Sequence, residues 1–150
     1  MKKWLIAGLG VVFILGLLAA QSLLKPTKVQ AAAPTIPVSA LSNKPFYMDA
    51  TIAGTKMSLI AVKAQDGSIR TTLNTCEVCY RSPRGYYKTS GDYIVCQNCG
   101  NRFHISQIQV ERGGCNPVPL FNSKVDGDKL VFSLDELAGM KKYFPVPRSQ

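Results

Sequence analysis

Beyond residue 45 the chain consists of short apolar or alternating runs separated by turn signals, which is the pattern of an antiparallel β domain. Segments rich in Gly, Asp and Ser separate the runs, and the two Asp-Gly pairs, at 66–67 and 126–127, are the strongest hairpin signals. The predicted strands are, in chain order, FYMDATIAG, TKMSLIAVKA, SIRTTLN, DYIVC, FHISQIQV and KLVFSL. We therefore predict a mostly β domain over residues 46–150.

A helical pattern is confined to the end of this domain, in the segment SLDELAGMKKYF. Ser133 is a candidate N-cap, and Glu136 stands three residues later, as in a capping box. Lys141 and Lys142 lie near the C-terminal end, where positive charges interact favourably with the helix dipole. The fold class is thus mostly β with a short C-terminal helix.

The first 24 residues form a separate element. Two lysines precede an uncharged, mostly apolar run that ends at Lys25, and a run of this length can cross a bilayer as a single helix. We expect residues 1–24 to be an uncleaved signal-anchor, with the lysines inside and the domain on the extracytoplasmic side of the cell membrane. A cleaved signal peptide is the alternative, since small residues precede both Gln21 and Thr35.

Between anchor and domain, residues 25–45 contain several prolines and no sustained period, which predicts a proline-stiffened linker. The formal net charge is +9. Strongly basic chains often bind nucleic acid, but the positive residues here are scattered, without a basic block or interleaved aromatics. We therefore expect a basic surface beside an anionic membrane and no nucleic-acid partner.

Four of the five cysteines form two Cys-x-x-Cys pairs, Cys76 with Cys79 and Cys96 with Cys99. Each two-residue spacing lets one tight turn aim both thiolates at one point, and two such turns supply a four-sulfur metal site. Structural disulfides or thiol–disulfide exchange are the alternatives in an exported domain. A disulfide within one pair closes too small a loop to stabilise the fold much, so we favour metal.

The order of loops over residues 47–133 resembles a Rieske-type domain. In such domains a first ligand loop, a hairpin and a second ligand loop ending in Gly-x-x-Phe precede a Gly-Pro-rich loop that covers the cluster. The matching segments here are CEVC, DYIVCQNCGNRF and GGCNPVPL. Cys79 and Cys99 stand where Rieske loops carry histidine, which implies a lower potential without pH linkage.

The chain resembles the FtrD-like family of membrane iron–sulfur proteins more closely. The matching residues are Cys76 and Cys79; Gly85 and Tyr86; Cys96, Cys99, Gly100 and Phe103; and Gly113 to Pro117. The resemblance implies a small Rieske-like or rubredoxin-like domain with two ligand knuckles and an iron–sulfur cluster, with 2Fe-2S expected. It also implies an electron carrier rather than an enzyme, serving a permease or redox partner in metal (iron) uptake.

Cys115 and His104 are further candidates near the metal. Because four thiolates already complete a tetrahedral site or a two-iron cluster, we expect Cys115 to lie beside the metal rather than hold it. The alternatives for Cys115 are an additional ligand and a free redox thiol. His104, the only histidine, is expected at the surface, with an additional ligand as the alternative.

Two other functions use the same cysteines. Thiolates suit zinc and Cu(I) as well as iron–sulfur clusters. If the cysteines bind such a metal in place of a cluster, the alternatives are a structural zinc-ribbon-like interaction module and a thiol metal chaperone, neither with a redox role. Five basic residues between Cys76 and Cys115 are candidates to screen a negative cluster: Arg81, Arg84, Lys88, Arg102 and Arg112.

Overall fold

The computed structural model describes residues 32–149, so the predicted anchor over residues 1–24 lies outside them. Within the described part, no helix is both long and apolar enough to cross a membrane. The described secondary structure comprises β1 Thr35–Pro37, β2 Phe46–Ile52, β3 Thr55–Lys63, β4 Ile69–Cys76, β5 Tyr87–Ser90, β6 Tyr93–Cys96, β7 Arg102–His104, β8 Pro117–Leu120, β9 Lys124–Asp126, β10 Lys129–Val131 and the helix α1 Leu134–Gly139.

The ten strands form three antiparallel sheets, which confirms the mostly β prediction. The largest sheet has the order β2-β3-β4-β8, and the two smaller sheets have the orders β1-β10-β9 and β5-β6-β7. In β3 every residue from Met57 to Val62 is buried. This strand lies between β2 and β4 and is covered on both faces, which explains its continuous apolar run.

Two clusters of buried side chains hold the sheets together. The larger cluster packs α1 and β10 against the β2-β3-β4-β8 sheet through residues that include Leu59, Leu73 and Leu137. The second cluster joins that sheet to the β5-β6-β7 sheet and consists of Ile60, Val62, Cys76, Tyr87, Ile94, Cys96, Phe103 and Ile108. Two of the five cysteines thus belong to the core itself.

The strand predicted over residues 103–110 is wrong beyond His104. The strand there is β7, and a 3-10 turn at Ile105–Gln107 follows it directly. Ile108 is buried after this turn. The apolar residues that suggest a strand therefore serve to pack a turn against the second cluster.

The structure also differs from the linker prediction in its described part, residues 32–45. Strand β1 pairs with β10, and a 3-10 turn at Val38–Ala40 follows it. Ile36 and Leu41 are buried in the main core. A three-residue strand flanked by prolines carries too little periodicity to be recognised in the sequence.

Helix α1 begins where its cap predicts. The Ser133 hydroxyl accepts a hydrogen bond from the Glu136 N–H at 3.3 Å. The Glu136 carboxylate does not complete the predicted capping box. It accepts hydrogen bonds from the N–H groups of Phe121 (2.8 Å) and Asn122 (3.1 Å). It thereby ties the helix to the end of β8.

Candidate metal centre

The first cysteine loop leaves the end of β4. The Cys79 N–H lies 3.4 Å from the Cys76 sulfur as a donor, and the Cys79 carbonyl accepts from the Ser82 N–H at 2.9 Å. The Cys76 N–H donates to the carbonyl of Gly85 at 3.0 Å. The loop is therefore closed on itself by its own backbone.

Gly85 is required there for space. A Cβ at this position would lie 2.7 Å from the Cys79 carbonyl carbon and 3.1 Å from the Ser82 carbonyl oxygen. Only glycine allows the chain to pass this close behind the first cysteine loop. This contact gives a structural reason for the Gly-Tyr pair singled out in the sequence.

The second cysteine loop follows β6 and forms a knuckle. The Gly100 N–H donates to the Cys96 carbonyl at 2.9 Å, and Gly100 has φ +75°, which glycine adopts without strain. The backbone N–H groups of Asn98 and Cys99 donate to the Cys96 thiol. Asn98 also joins the two loops, because its side chain hydrogen-bonds Cys79 and, at 2.7 Å, the Ser82 hydroxyl.

The third loop carries Cys115 to the same place. The Tyr87 hydroxyl donates to the Cys115 carbonyl at 2.5 Å, and the Asn101 side chain donates to it at 3.3 Å. The next carbonyl, that of Asn116, accepts from the Glu77 N–H at 2.9 Å. These bonds tie the third loop to both cysteine loops.

Thiols from all three loops meet at this junction. The sulfur atoms of four of them, Cys76, Cys79, Cys99 and Cys115, lie within 4.8 Å of one another. Cys96 is outside this group of four, although its thiol contacts that of Cys99. Three of the four predicted ligands thus converge with Cys115, and the identity of the fourth ligand stays a prediction.

Exposure changes steeply across the centre. Cys76 and Cys96 are buried, Cys79 and Cys115 are half-buried, and Cys99 is exposed. One side of the centre therefore belongs to the core while the other reaches solvent.

Electrostatics distinguish Cys99 from the thiols around it. Burial raises the pKa of Cys79, and it raises that of Cys96 to about 12 against the backbone donors of its knuckle. The neighbouring Cys99 thiol, together with burial, raises the pKa of Cys115 to about 12. Burial by itself would raise the pKa of Cys99 as well. Hydrogen bonds from the Asn101 N–H and the adjacent thiols outweigh burial, and the pKa of Cys99 is lowered. Cys99 therefore ionises more readily than Cys79, Cys96 or Cys115.

This donor set fits a thiolate-bound metal or cluster. Soft sulfur ligands select zinc, Cu(I) and iron–sulfur clusters, and N–H donors aimed at sulfur stabilise the thiolate form. Each ligand thiol must lose its proton on binding, so metal uptake releases protons. The residues present can hold such a group.

His104 does not join the cysteines. Its Nδ1 lies 2.7 Å from the Ser106 hydroxyl and accepts from the Ser106 N–H at 3.2 Å, and its ring packs edge-on against Tyr93 with 5.1 Å between centroids. The contacts of this half-buried ring cap the 3-10 turn that follows β7.

Two residues of the site were not predicted from the sequence: Asn98, and Arg148, whose guanidinium donates to the carbonyls of Tyr80 (3.0 Å) and Ser82 (2.7 Å). Arg148 lies in a tail without periodicity, and nothing in the sequence links it to residues seventy positions earlier. Asn98 is one of the two residues between the cysteines of the second pair, and asparagine inside a Cys-x-x-Cys spacing is a usable signal for a side chain beside the thiols.

A family model for "Membrane iron-sulfur containing protein FtrD-like" matches residues 41–144. The chain belongs to this family. The match includes all five cysteines and confirms the predicted resemblance. The FtrD-like chain is accordingly a member of a family of membrane iron–sulfur proteins, while the Rieske-like arrangement of its ligand loops stays a prediction.

No curated protein matches the FtrD-like chain. Among solved structures, the chain matches the quaternary ammonium Rieske monooxygenase CntA in complex with an inhibitor, with 17% identity and a TM-score of 0.47. The alignment covers 74% of this chain but 35% of the monooxygenase chain. The FtrD-like chain thus spans about a third of that protein, and nothing about the activity of the monooxygenase transfers to it.

Proposed function

We propose that this chain is a membrane-anchored, extracytoplasmic electron-transfer protein that carries a 2Fe-2S cluster. The observation that carries the proposal is the convergence of four thiols from three loops at the edge of a buried core that includes Cys96, in a chain of an iron–sulfur family. When bound, such a cluster supplies reversible one-electron transfer.

The proposed ligands are Cys76, Cys79, Cys96 and Cys99. The sulfur atoms of a single tetrahedral metal lie about 3.8 Å apart when the metal–sulfur distance is about 2.3 Å. In a two-iron cluster each iron holds two of the four thiolates, so the ligand sulfurs form two pairs and span more than the compact group around a single metal. The backbone donors on the Cys96 thiol support its role as a ligand.

The surface around Cys99 suits electron exchange with a partner. Cys99 is exposed, and Val78, inside the first pair, is 60% exposed. An apolar side chain at the rim of a redox centre gives a partner protein a surface that is easily dehydrated. Arg81 and Arg84, both exposed on the same loop, would favour an acidic partner.

The membrane anchor and the uptake role are part of the proposal. The apolar run over residues 1–24 predicts the anchor, and the family is one of membrane proteins. We propose that the domain faces the extracytoplasmic side and exchanges electrons with a permease or a redox partner of a metal uptake system.

A structural zinc site is the second candidate, and one observation favours it. The four sulfurs within 4.8 Å of one another include Cys115, and a group this compact suits one tetrahedral metal. Zinc would make the domain an interaction module without redox chemistry.

Metal analysis of the full-length chain, purified in detergent without oxygen from salt-washed membranes, separates the two. We expect the chain in the membrane fraction, red-brown, with iron and acid-labile sulfide at about two of each per chain. A colourless chain with one zinc would contradict the cluster. Recovery of a soluble form that begins near Gln21 or Ala32 would contradict the anchor.

A further inference from the structure

The end of the chain runs back across the first cysteine loop, and Arg148 makes the connection. Its Nη1 donates to the carbonyls of Tyr80 (3.0 Å) and Ser82 (2.7 Å). Its Nη2 donates to the Thr75 hydroxyl (2.6 Å) and to the Tyr143 carbonyl (2.7 Å). One planar guanidinium thus makes four hydrogen bonds, which a lysine ammonium cannot reproduce.

These contacts enclose the first Cys-x-x-Cys pair. Thr75 directly precedes Cys76, while Tyr80 and Ser82 follow Cys79. The neighbouring tail residue, Ser149, adds two backbone bonds: its N–H donates to the Pro83 carbonyl at 3.0 Å, and its carbonyl accepts from the Tyr86 hydroxyl at 2.8 Å. The tail therefore fastens both ends of the loop that aims Cys76 and Cys79.

The charge of Arg148 needs a negative partner. The side chain of Arg148 is half-buried, and its Nε is buried without a hydrogen bond. Among residues 32–149, the ion pair joins Arg70 to Asp66 and does not involve Arg148. A buried cation without compensation is costly. Burial lowers the pKa of Arg148, and charge on Cys76 and Cys96 acts in the opposite direction. Because Nη2 bonds Thr75, which directly precedes Cys76, the guanidinium lies beside the first cysteine loop, whose thiols become anions when they bind a metal.

We infer that Arg148 is a positioning residue for the metal centre, which holds the first cysteine loop in its ligand geometry and places a positive charge beside the thiolates. The inference rests on the proposed metal-binding function, and it concerns a residue beyond the matched range 41–144. A cluster with four thiolates carries about −2 when oxidised and gains one more negative charge on reduction. A nearby cation therefore favours the reduced form.

The test compares Arg148→Met and Arg148→Lys with wild type in the full-length chain. In Arg148→Met the midpoint potential should become more negative, because a charge beside the cluster is lost. Arg148→Lys should keep the wild-type potential, since it keeps the charge. Lys124→Met is the matched control, because it removes an exposed, solvent-screened positive charge on β9, a strand of another sheet, and should leave the potential unchanged. A wild-type potential in Arg148→Met would overturn the charge part of the inference.

Hydrogen exchange tests the positioning part without reference to the metal. The N–H groups of Ser82 and Gly85 are bonded within the loop, and we expect them to exchange about tenfold faster in Arg148→Met, with a smaller increase in Arg148→Lys. The amide of Ile60, in the middle of β3, should not change. Unchanged exchange at Ser82 and Gly85 would overturn the positioning role. Absence of iron from the wild-type chain would instead count against the proposed function, and the exchange measurement would still decide the inference.

Discussion

Cys76→Ser is expected to leave the full-length chain with less than about a tenth of the wild-type iron, because a serine hydroxyl is a poor ligand for iron in a thiolate site. The Cys76 side chain is fully buried and belongs to both the second core cluster and the group of four sulfurs. Metal binding and folding are coupled at such a position. We therefore expect a lower unfolding temperature as well, measured by thermal unfolding alongside iron and sulfide analysis.

Two further single substitutions identify the fourth ligand. Cys96→Ser is expected to behave like Cys76→Ser, whereas Cys115→Ser is expected to retain the iron with a shifted potential. All three variants remove one sulfur from the same junction, so Cys115→Ser is the matched control for the other two. Loss of iron in Cys115→Ser combined with full iron in Cys96→Ser would assign Cys115 as the ligand and contradict the proposed set.

Gly85→Ala is expected to be the most damaging change that leaves every cysteine in place. The new methyl group would overlap the Cys79 carbonyl, so the first cysteine loop must shift. Overpacking of this kind costs about 1–3 kcal/mol, and a displaced Cys79 should also lower the iron content. Chemical denaturation and iron analysis measure the two effects.

The control for Gly85→Ala is Gly139→Ala at the end of α1. A Cβ there meets nothing within 4 Å, and alanine favours a helix over glycine by about 1 kcal/mol. We expect Gly139→Ala to keep its iron and to be at least as stable as wild type. Equal stability and iron content in the two variants would show that the space behind Cys79 is not needed.

Local patterns predicted the central strands and the helix start, because apolar runs between turn signals and capping by Ser133 depend on residues close in sequence. The meeting of Cys76 and Cys79 with Cys99 also follows from spacing alone, since each pair occupies one turn. The place of Cys115 does not. It depends on the pairing of β8 with β4, where the register shifts between Thr72 and Cys76.

The remaining differences have the same origin. Arg148 reaches the first cysteine loop from the far end of the chain, and Glu136 binds backbone N–H groups of another segment instead of its own helix. Strand β1 exists because its partner is β10, almost a hundred residues away. Interactions at such separations leave no periodic signal in the sequence.

The most direct test of the proposed function is a redox titration of the anaerobically purified full-length chain, followed by electron paramagnetic resonance. We predict reversible reduction by about one electron per chain, with a midpoint potential below about −150 mV. The potential should also be independent of pH near neutrality, because the proposed ligands include no imidazole. A chain without any potential-dependent signal, or with a pH-dependent potential in the Rieske range, would contradict a four-thiolate cluster that carries electrons.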